Sequence, residues 1–532
     1  MEITQKLREK IENAFGINWE ERVVENPYST IQINGIGFKT ADKIAQQLGV
    51  SKTSSERIKA GIEYTLRERA QWGHSCYPIK LLIKDAANLL DISEGEVHLE
   101  VQDSKNIAIE NGMCYLPPIL EMEKSIARNV KRLLELPKSS SYRRKIKIDV
   151  ENTRLDYEQK MAVEVGVNGG IVCVSGPPGT GKTEIAREII KNFSGDVTIC
   201  APTGKAASYI TRDLPVKGHT IHKLLGYDGE RWRVEKIYTD IIIVDEASML
   251  DLITAHKLFK AVSCPVYLLG DANQLPPVQV GKVFSDLVTF GLPTIWLSNI
   301  YRAEKDVAEA SANILKGKVP KLGEMGKDNI FHVQEKHKLL SSYSYISKVY
   351  QTADIQVLSP FYQGEFGVTN LNVRLQDILN PEGKRVRGQF RVGDRVIQVK
   401  NDYMLNVFNG EVGVIVEGDK KYLTVDFGDR WVTYKDISNL HLAYCISAHK
   451  SQGSEFDVVL IPLSSSQKFF LFRSLLYTAV SRARKAVGFF GDKSLIEYAV
   501  WNNKPLRRFS TLKKWLEEQF LSGAKQEFEL FF

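Results

Sequence analysis

The chain lacks long apolar runs, paired cysteines and a strong charge of either sign. Its longest apolar runs, such as Ile241–Val244, are strand-sized and fall well short of the roughly 20 residues that cross a bilayer, so no membrane span is expected. The start, Met1-Glu2-Ile3-Thr4-Gln5-Lys6, has none of the basic-then-apolar pattern of a secretory leader, which points to the cytoplasm. The six cysteines, Cys76, Cys114, Cys173, Cys200, Cys264 and Cys445, stand singly, with no CxxC pair and no histidine cluster at ligand spacing. A disulfide scaffold and a structural metal are therefore not expected. The formal net charge is +7, from 71 basic and 64 acidic residues. Over so long a chain that excess permits a polyanionic partner without demanding one. No repeat at a solenoid period is visible either.

What is present is the composition of ordinary folded domains, 43% hydrophobic and 25% charged over 532 residues. That length exceeds the size at which one core stops growing, so three or four folded units are expected. Residues 1–145 read as a helical N-terminal domain, closed by a proline, serine and basic stretch at 136–145 that breaks the apolar periodicity. Over 146–325, short β-branched strands at 171–174, 197–201, 241–244 and 266–269 alternate with helical segments, the pattern of a parallel sheet covered on both faces. A second α/β pattern begins near 355 and resumes at 458, giving a related domain over 326–387 and 441–515. Inserted into it, residues 388–440 alternate apolar and polar positions and turn at Gly418-Asp419 and Gly428-Asp429, as a small antiparallel barrel or sheet does. Residues 516–532 remain as a C-terminal tail.

Chemistry enters at Gly176-Pro177-Pro178-Gly179-Thr180-Gly181-Lys182-Thr183, which follows a β-branched strand and precedes a helical stretch beginning at Glu184. This is the setting of a P-loop: glycines let backbone N–H groups converge on phosphates, Lys182 neutralises the β and γ oxygens, and Thr183 offers a hydroxyl to Mg²⁺. Asp245-Glu246 closes the strand Ile241–Val244, at the strand end where ligands of open α/β sheets bind. Asp245 is expected to hold Mg²⁺, and Glu246 to orient or deprotonate the attacking water. ATP and Mg²⁺ are the implied cofactors.

Further strings discriminate among P-loop proteins. They are Leu155-Asp156-Tyr157-Glu158-Gln159, Ala201-Pro202-Thr203-Gly204-Lys205-Ala206-Ala207, Thr220-Ile221-His222-Lys223-Leu224-Leu225-Gly226 and Gly270-Asp271-Ala272-Asn273-Gln274-Leu275-Pro276-Pro277-Val278. Leu297-Ser298-Asn299-Ile300-Tyr301-Arg302, Ser447-Ala448-His449-Lys450-Ser451-Gln452-Gly453-Ser454-Glu455 and Leu476-Tyr477-Thr478-Ala479-Val480-Ser481-Arg482-Ala483-Arg484 complete the series. In this order, from about residue 28 to 490, the chain resembles the RecD-like branch of superfamily 1 DNA helicases. The resemblance implies an α/β fold: two RecA-like P-loop motor domains, a helix-hairpin-helix N-terminal domain and an SH3-like β insert. It implies an ATP-dependent helicase moving 5′ to 3′ on single-stranded DNA. Gln159 would recognise adenine, Gln274 the γ-phosphate, and Gly453 and Glu455 would join the nucleotide site. Arg302 and Arg482 would reach the phosphates. Pro202, Thr203, Lys205, Thr220 and His222 in the first motor domain, with His449 and Lys450 in the second, would contact DNA.

Bland readings stand beside these. Arginines form surface ion pairs, which suits Arg484 better than the other two. Hydroxyls at loop ends cap helices. His449 suits a satisfied core position. The glycine hairpin Ile33-Asn34-Gly35-Ile36-Gly37 could offer backbone N–H groups to DNA through Gly35 and Gly37, or simply join two packed helices. Between Gly226 and Asp240, where the family places a strand-separating hairpin, the segment near 227–238 is short, and Trp232 reads either as an abbreviated wedge or as surface packing. The last residues, Gln526-Glu527-Phe528-Glu529-Leu530-Phe531-Phe532, are similar to peptides that dock on the bacterial sliding clamp, and equally to a buried terminal element. Two other functions stay open: a translocase without productive unwinding, and a nucleotide-switched DNA-binding subunit.

Overall fold

The computed structural model describes residues 3–33, 35–136, 153–167, 170–204, 206–207, 216–350, 354–402, 404–405, 407–503 and 508–521. Lys205, residues 137–152 and the terminal peptide 526–532 lie outside these residues.

Two parallel sheets organise the chain. The first runs, edge to edge, Gly218–Thr220, Val197–Ala201, Ile241–Val244, Val266–Gly270, Ile171–Ser175 and Thr294–Trp296, every pairing parallel. Its central strands are buried at each position, as near-continuous Ile, Val and Leu runs demand of a sheet covered twice. One face packs on Tyr157–Val167 and Lys182–Asn192, and the other on Leu252–Ala261, Val283–Phe290 and the N-terminal helix Pro117–Leu134. The second sheet is also parallel, in the order Ile330–Val333, Ala483–Phe490, Phe456–Pro462, Ile355–Ser359, Cys445–Ser447. Loops at the strands' C-terminal ends of the first sheet carry its motifs, so a shared topology gathers residues far apart in sequence.

The insert is a five-stranded antiparallel sheet ordered Trp431–Tyr434, Leu423–Asp426, Val412–Gly418, Arg395–Gln398, Leu440–Leu442. It ends two residues beyond the expected boundary, because Leu440–Leu442 pairs with Arg395–Gln398 before the chain re-enters the motor sheet. The N-terminal region is helical as expected, with one addition: a small antiparallel sheet of Tyr77–Pro78, Met113–Tyr115 and Ala108–Glu110. Strands of two or three residues leave too few alternations for periodicity to reveal.

The C-terminal boundary needs correction. Residues 508–521 were expected to divide between the second motor domain and a tail, yet they pack on the first motor domain and the N-terminal helix. Leu512, Trp515 and Leu516 are buried in the same core as Ile126, Val130, Phe284 and Leu287. Three such apolar side chains are worth ~2 kcal/mol each on burial, which holds the segment across the domain boundary.

Candidate active site and nucleic-acid interface

The P-loop has the conformation its glycines allow. Gly179 and Gly181 lie at φ +81° and +82°, where a Cβ is disfavoured. Gly181 precedes the helix Lys182–Asn192, whose first N–H groups face the cleft. Lys182 donates to the carbonyls of Gly176 at 2.6 Å and Pro177 at 2.9 Å, so its ammonium rests on its own loop. Burial lowers its pKa, against the opposing pull of Asp271, Glu246 and Asp245. Asp245 is displaced the other way: burial and then the neighbouring Glu246 raise it above the usual carboxylate range. Glu246 itself takes a left-handed backbone conformation at φ +50°, which turns the loop back toward the cleft.

One cleft between the two sheets is lined by Gly179, Lys182, Thr183, Asp245, Glu246 and Gln274 from the first motor domain, and by Gly453, Glu455 and Arg482 from the second. Pro178, Gly181 and Arg302 also border it. Arg482 is 2% exposed, and its Nη1 donates to the Ser454 carbonyl at 3.3 Å. Its Nε and Nη2 are buried without partners, as is Oε1 of Gln274. Buried polar atoms are normally satisfied, so unpaired donors on a cleft wall mark where an anionic group belongs. Arg302 reaches across the boundary to Glu455 at 3.3 Å. Arg484 also borders the cleft and has a buried, unpartnered Nε, but it is half-exposed and ion-paired with Asp457 at 2.8 Å.

Other nucleotide-site expectations fall behind the cleft or outside it. Gly176, Pro177 and Thr180 shape the loop from below, with the Thr180 hydroxyl donating to the Pro177 carbonyl at 2.9 Å. Gln159 donates to the Thr180 carbonyl at 3.0 Å and packs against Gly181, where an added Cβ would approach its Nε2 to 2.2 Å. Its amide therefore braces the P-loop. Glu184 points outward and pairs with Arg187 at 3.0 Å.

Of the expected DNA contacts, Thr203 is placed beside this cleft. Thr203 faces Gly453 across the domain boundary, while its hydroxyl accepts from the Ala206 N–H at 3.3 Å. Pro202 is half-buried beside it, and Phe408 of the insert sits on Gly204, where a Cβ would come within 2.1 Å of the ring. Thr220 is 2% exposed and its hydroxyl caps the helix Ile221–Leu224, accepting from Lys223 at 3.1 Å. His222 is half-buried against Trp232 and Tyr227, with ring centroids 5.1 and 5.4 Å away. Trp232 is thus folded onto the motor domain, paired through the bridge Tyr227↔Trp232. His449 and Lys450 are both half-buried, and burial followed by Arg508 lowers His449 to about 4. In the N-terminal domain Gly35 takes φ +82°, and Gly37 starts the helix Phe38–Gln47. That hairpin lies apart from the cleft.

Four family models match along the chain: an AAA domain over 154–336, the HHH domain of ATP-dependent RecD2 DNA helicase over 1–76, the SH3 domain of ATP-dependent RecD-like DNA helicase over 371–427, and a UvrD-like helicase C-terminal domain over 442–489. The ATP-dependent RecD2 DNA helicase of Deinococcus radiodurans is 31% identical over 534 residues, spanning 94% of this chain and 74% of that protein. The chain belongs to the RecD2 family. The RecBCD enzyme subunit RecD of Mycobacterium tuberculosis is 27% identical over 64% of this chain and 70% of its own. Among solved structures, a Bacteroides Pif1 bound to ssDNA covers 65% of this chain and 94% of its own, at 20% identity and a TM-score of 0.44.

Sequence reasoning missed a seam that joins the two lobes of this RecD2-family chain. Tyr477 donates to Asp271 at 2.6 Å, the Leu275 N–H donates to Thr478 at 3.1 Å, and Gln452 donates to the Leu275 carbonyl at 2.9 Å. All three bonds are buried. The first two tie the loop holding Gln274 to the helix Arg473–Val480 that leads to Arg482, and the third ties it to the turn before Gly453. Each residue lay inside a string already singled out, but nothing in a string tells which partner it meets in another. Tyr301, whose hydroxyl donates to Asp156 at the rim of the P-loop, was missed for the same reason.

Proposed function

We propose that the chain hydrolyses ATP to move 5′ to 3′ along single-stranded DNA and to separate duplex ahead of it, acting in the cytoplasm. One observation carries this reading: Arg482, buried in one lobe with its Nε and Nη2 unpartnered, lines the same cleft as Lys182 and Gln274 from the other. A guanidinium so placed stabilises a transferring phosphoryl group only while the lobes are closed, so hydrolysis and closure are one event. The seam of Tyr477, Thr478 and Gln452 transmits that event to the loop carrying Gln274.

Within the cleft, Lys182 leaves the loop carbonyls to meet the β and γ oxygens, and Glu246 orients or deprotonates the attacking water. Thr183 and Asp245 supply hard oxygen ligands suited to Mg²⁺. Bound there, Mg²⁺ neutralises charge on the phosphates. DNA would run past Pro202, Thr203 and His222 to His449 and Lys450, held by its backbone and therefore tolerant of sequence and sensitive to salt. With its pKa near 4, His449 acts as a neutral hydrogen-bonding group rather than a cation. The residues 526–532 suit a sliding-clamp docking peptide, which deletion of 525–532 tests by loss of clamp binding.

ATPase rates with and without single-stranded DNA are the first test: turnover rises strongly with the track present, and a rate indifferent to DNA overturns the motor reading. Strand release from a forked duplex with a 5′ tail is the second. Trp232, stacked on His222 instead of projecting, favours one alternative, a translocase that hydrolyses ATP without releasing strands.

A further inference from the structure

After the helix Lys493–Trp501 the chain crosses from the second motor domain to the first, and Arg508 is the first described residue on the far side. Its Nη1 donates to the carbonyls of Gln279 at 2.8 Å and Gly281 at 2.9 Å. The face of the guanidinium lies on Gly73, at φ +92°, where a Cβ would come within 2.3 Å of Cζ. Glycine is required there by both the conformation and the space. Arg508 is 9% exposed, its Nε is buried without a partner, and no carboxylate pairs with it among the described residues. Burial alone lowers its pKa to about 10. A buried cation ordinarily has a counterion, because leaving it unpaired forfeits its hydration for nothing.

Arg508 opens onto a cavity of about 540 Å³ bounded by both motor domains and by the C-terminal segment. Lys282, Arg473, Asn273, Ser248 and Gln274 also line it. Ser248 and Gln274 are each 7% exposed, and Ser248 Oγ and Gln274 Oε1 are buried without partners. The one carboxylate on the wall, Asp271, already accepts from Tyr477 at 2.6 Å and Gln274 at 3.3 Å. The Gln274 oxygen can only accept and Lys282 already pairs with Asp286 at 3.6 Å, so the Ser248 hydroxyl and the Arg508 guanidinium are what this wall offers an anion. The cavity adjoins the nucleotide cleft, since Gln274 lines both.

We propose that this cavity holds a backbone phosphate of the single-stranded DNA track, with Arg508 as its principal cation. The proposal rests on the motor reading and adds to it a contact from a segment outside the helicase motifs. The C-terminal segment thereby becomes part of the track, and a strand bound in the cavity touches both lobes at once. The cavity is far larger than one phosphate ion, which suits a nucleotide unit of a continuing strand. Orthophosphate released by hydrolysis has the same chemistry and is the alternative occupant.

The test is the salt dependence of oligo-dT binding by the full chain without nucleotide. Arg508→Gln lowers the slope of log K against log salt by about 0.7, the signature of one single-strand phosphate contact, and weakens binding about tenfold at low salt. Arg508→Lys keeps the charge and restores the slope. Thr511→Val, which loosens the same segment through its bonds to Glu123 without removing charge, leaves the slope at the wild-type value. Lys282→Gln, at a partly exposed cation on the same wall that Asp286 pairs at 3.6 Å, weakens binding two- to threefold and keeps the test alive if Arg508→Gln fails to fold. Slopes unchanged in both charge variants, or lowered equally by Thr511→Val, overturn the proposal. So does orthophosphate that protects the wild type, but not Arg508→Gln, against heat while the slope stays constant. Failure of the motor reading shows up separately, as wild-type protein whose ATPase ignores DNA.

Discussion

Arg482 and Arg508 are alike in burial, at 2% and 9% exposed, and alike in having N–H groups without partners and no ion pair among the described residues. They differ in how they come to be so. Arg482 follows the helix Arg473–Val480, and its surroundings are loops at strand ends of two parallel sheets, each within a compact string. Arg508 stands where segments at 73 and 279–281 meet, joined by backbone carbonyls and a bare Cα. The same physical state, a guanidinium stripped of water and left unpaired, thus arises once from motif and once from chain routing. In both places a bound anion would offset the cost of burial, which is why each suits a phosphate.

Substitutions in the cleft should have the largest effects and should leave the junction untouched. Lys182→Ala is expected to abolish measurable ATP turnover while oligo-dT binding persists, as read by a coupled ATPase assay beside fluorescence anisotropy. Arg482→Ala should cut kcat by about 10² to 10³ with a much smaller change in nucleotide affinity, because its contact develops with the transition state. The salt slope of DNA binding should be unaffected by either. If Arg482→Ala lowered that slope while sparing turnover, the two arginines would have exchanged roles and the comparison would collapse.

How much of this was legible follows from the same contrast. Gly179 and Gly181 take the positive φ values that the P-loop string requires, and Asp245, Gln274 and Arg482 meet Lys182 as their positions within recurring strand–loop units imply. The insert was legible from alternation and its turns at 418–419 and 428–429. Contacts between strings were not. Tyr477 and Asp271 are 206 positions apart, and either residue alone reads as ordinary core or ordinary acid. The inward turn of the Thr220 hydroxyl and the stacking of Trp232 on His222 depended on which of two open readings packing selected. The C-terminal segment was misassigned because a ten-residue amphipathic helix reports that it has a buried face, and leaves unstated which body covers it.

The seam between the lobes offers a test of intermediate size. Tyr477→Phe removes the hydroxyl that donates to Asp271 at 2.6 Å and leaves a buried carboxylate short of one donor. Such a loss costs ~1–3 kcal/mol. Since Asp271 also accepts from Gln274, the expected outcome is a kcat reduced about tenfold at nearly constant KM, together with weaker stimulation by DNA. A change in KM alone would mean that the seam serves nucleotide binding and not the coupling of the lobes.

The smallest expected effect on turnover, and the sharpest separation of junction from cleft, comes from Glu123. This carboxylate is fully buried and accepts from Ser75 at 2.6 Å, Ser510 at 3.0 Å, the Thr511 N–H at 3.3 Å, the Thr511 hydroxyl at 2.6 Å and the Trp515 indole at 3.2 Å. Five donors converge on two oxygens, so Glu123→Gln must turn an NH₂ group toward at least one of them. The resulting loss of ~1–3 kcal/mol falls on the attachment of residues 508–521, and not on the nucleotide cleft. Proteolysis within 508–521 should accelerate by about fivefold or more while DNA-independent ATPase stays near wild type. Equal cleavage rates would show that apolar burial of Leu512, Trp515 and Leu516 fixes the segment by itself, and that the carboxylate merely satisfies donors which packing has already brought together.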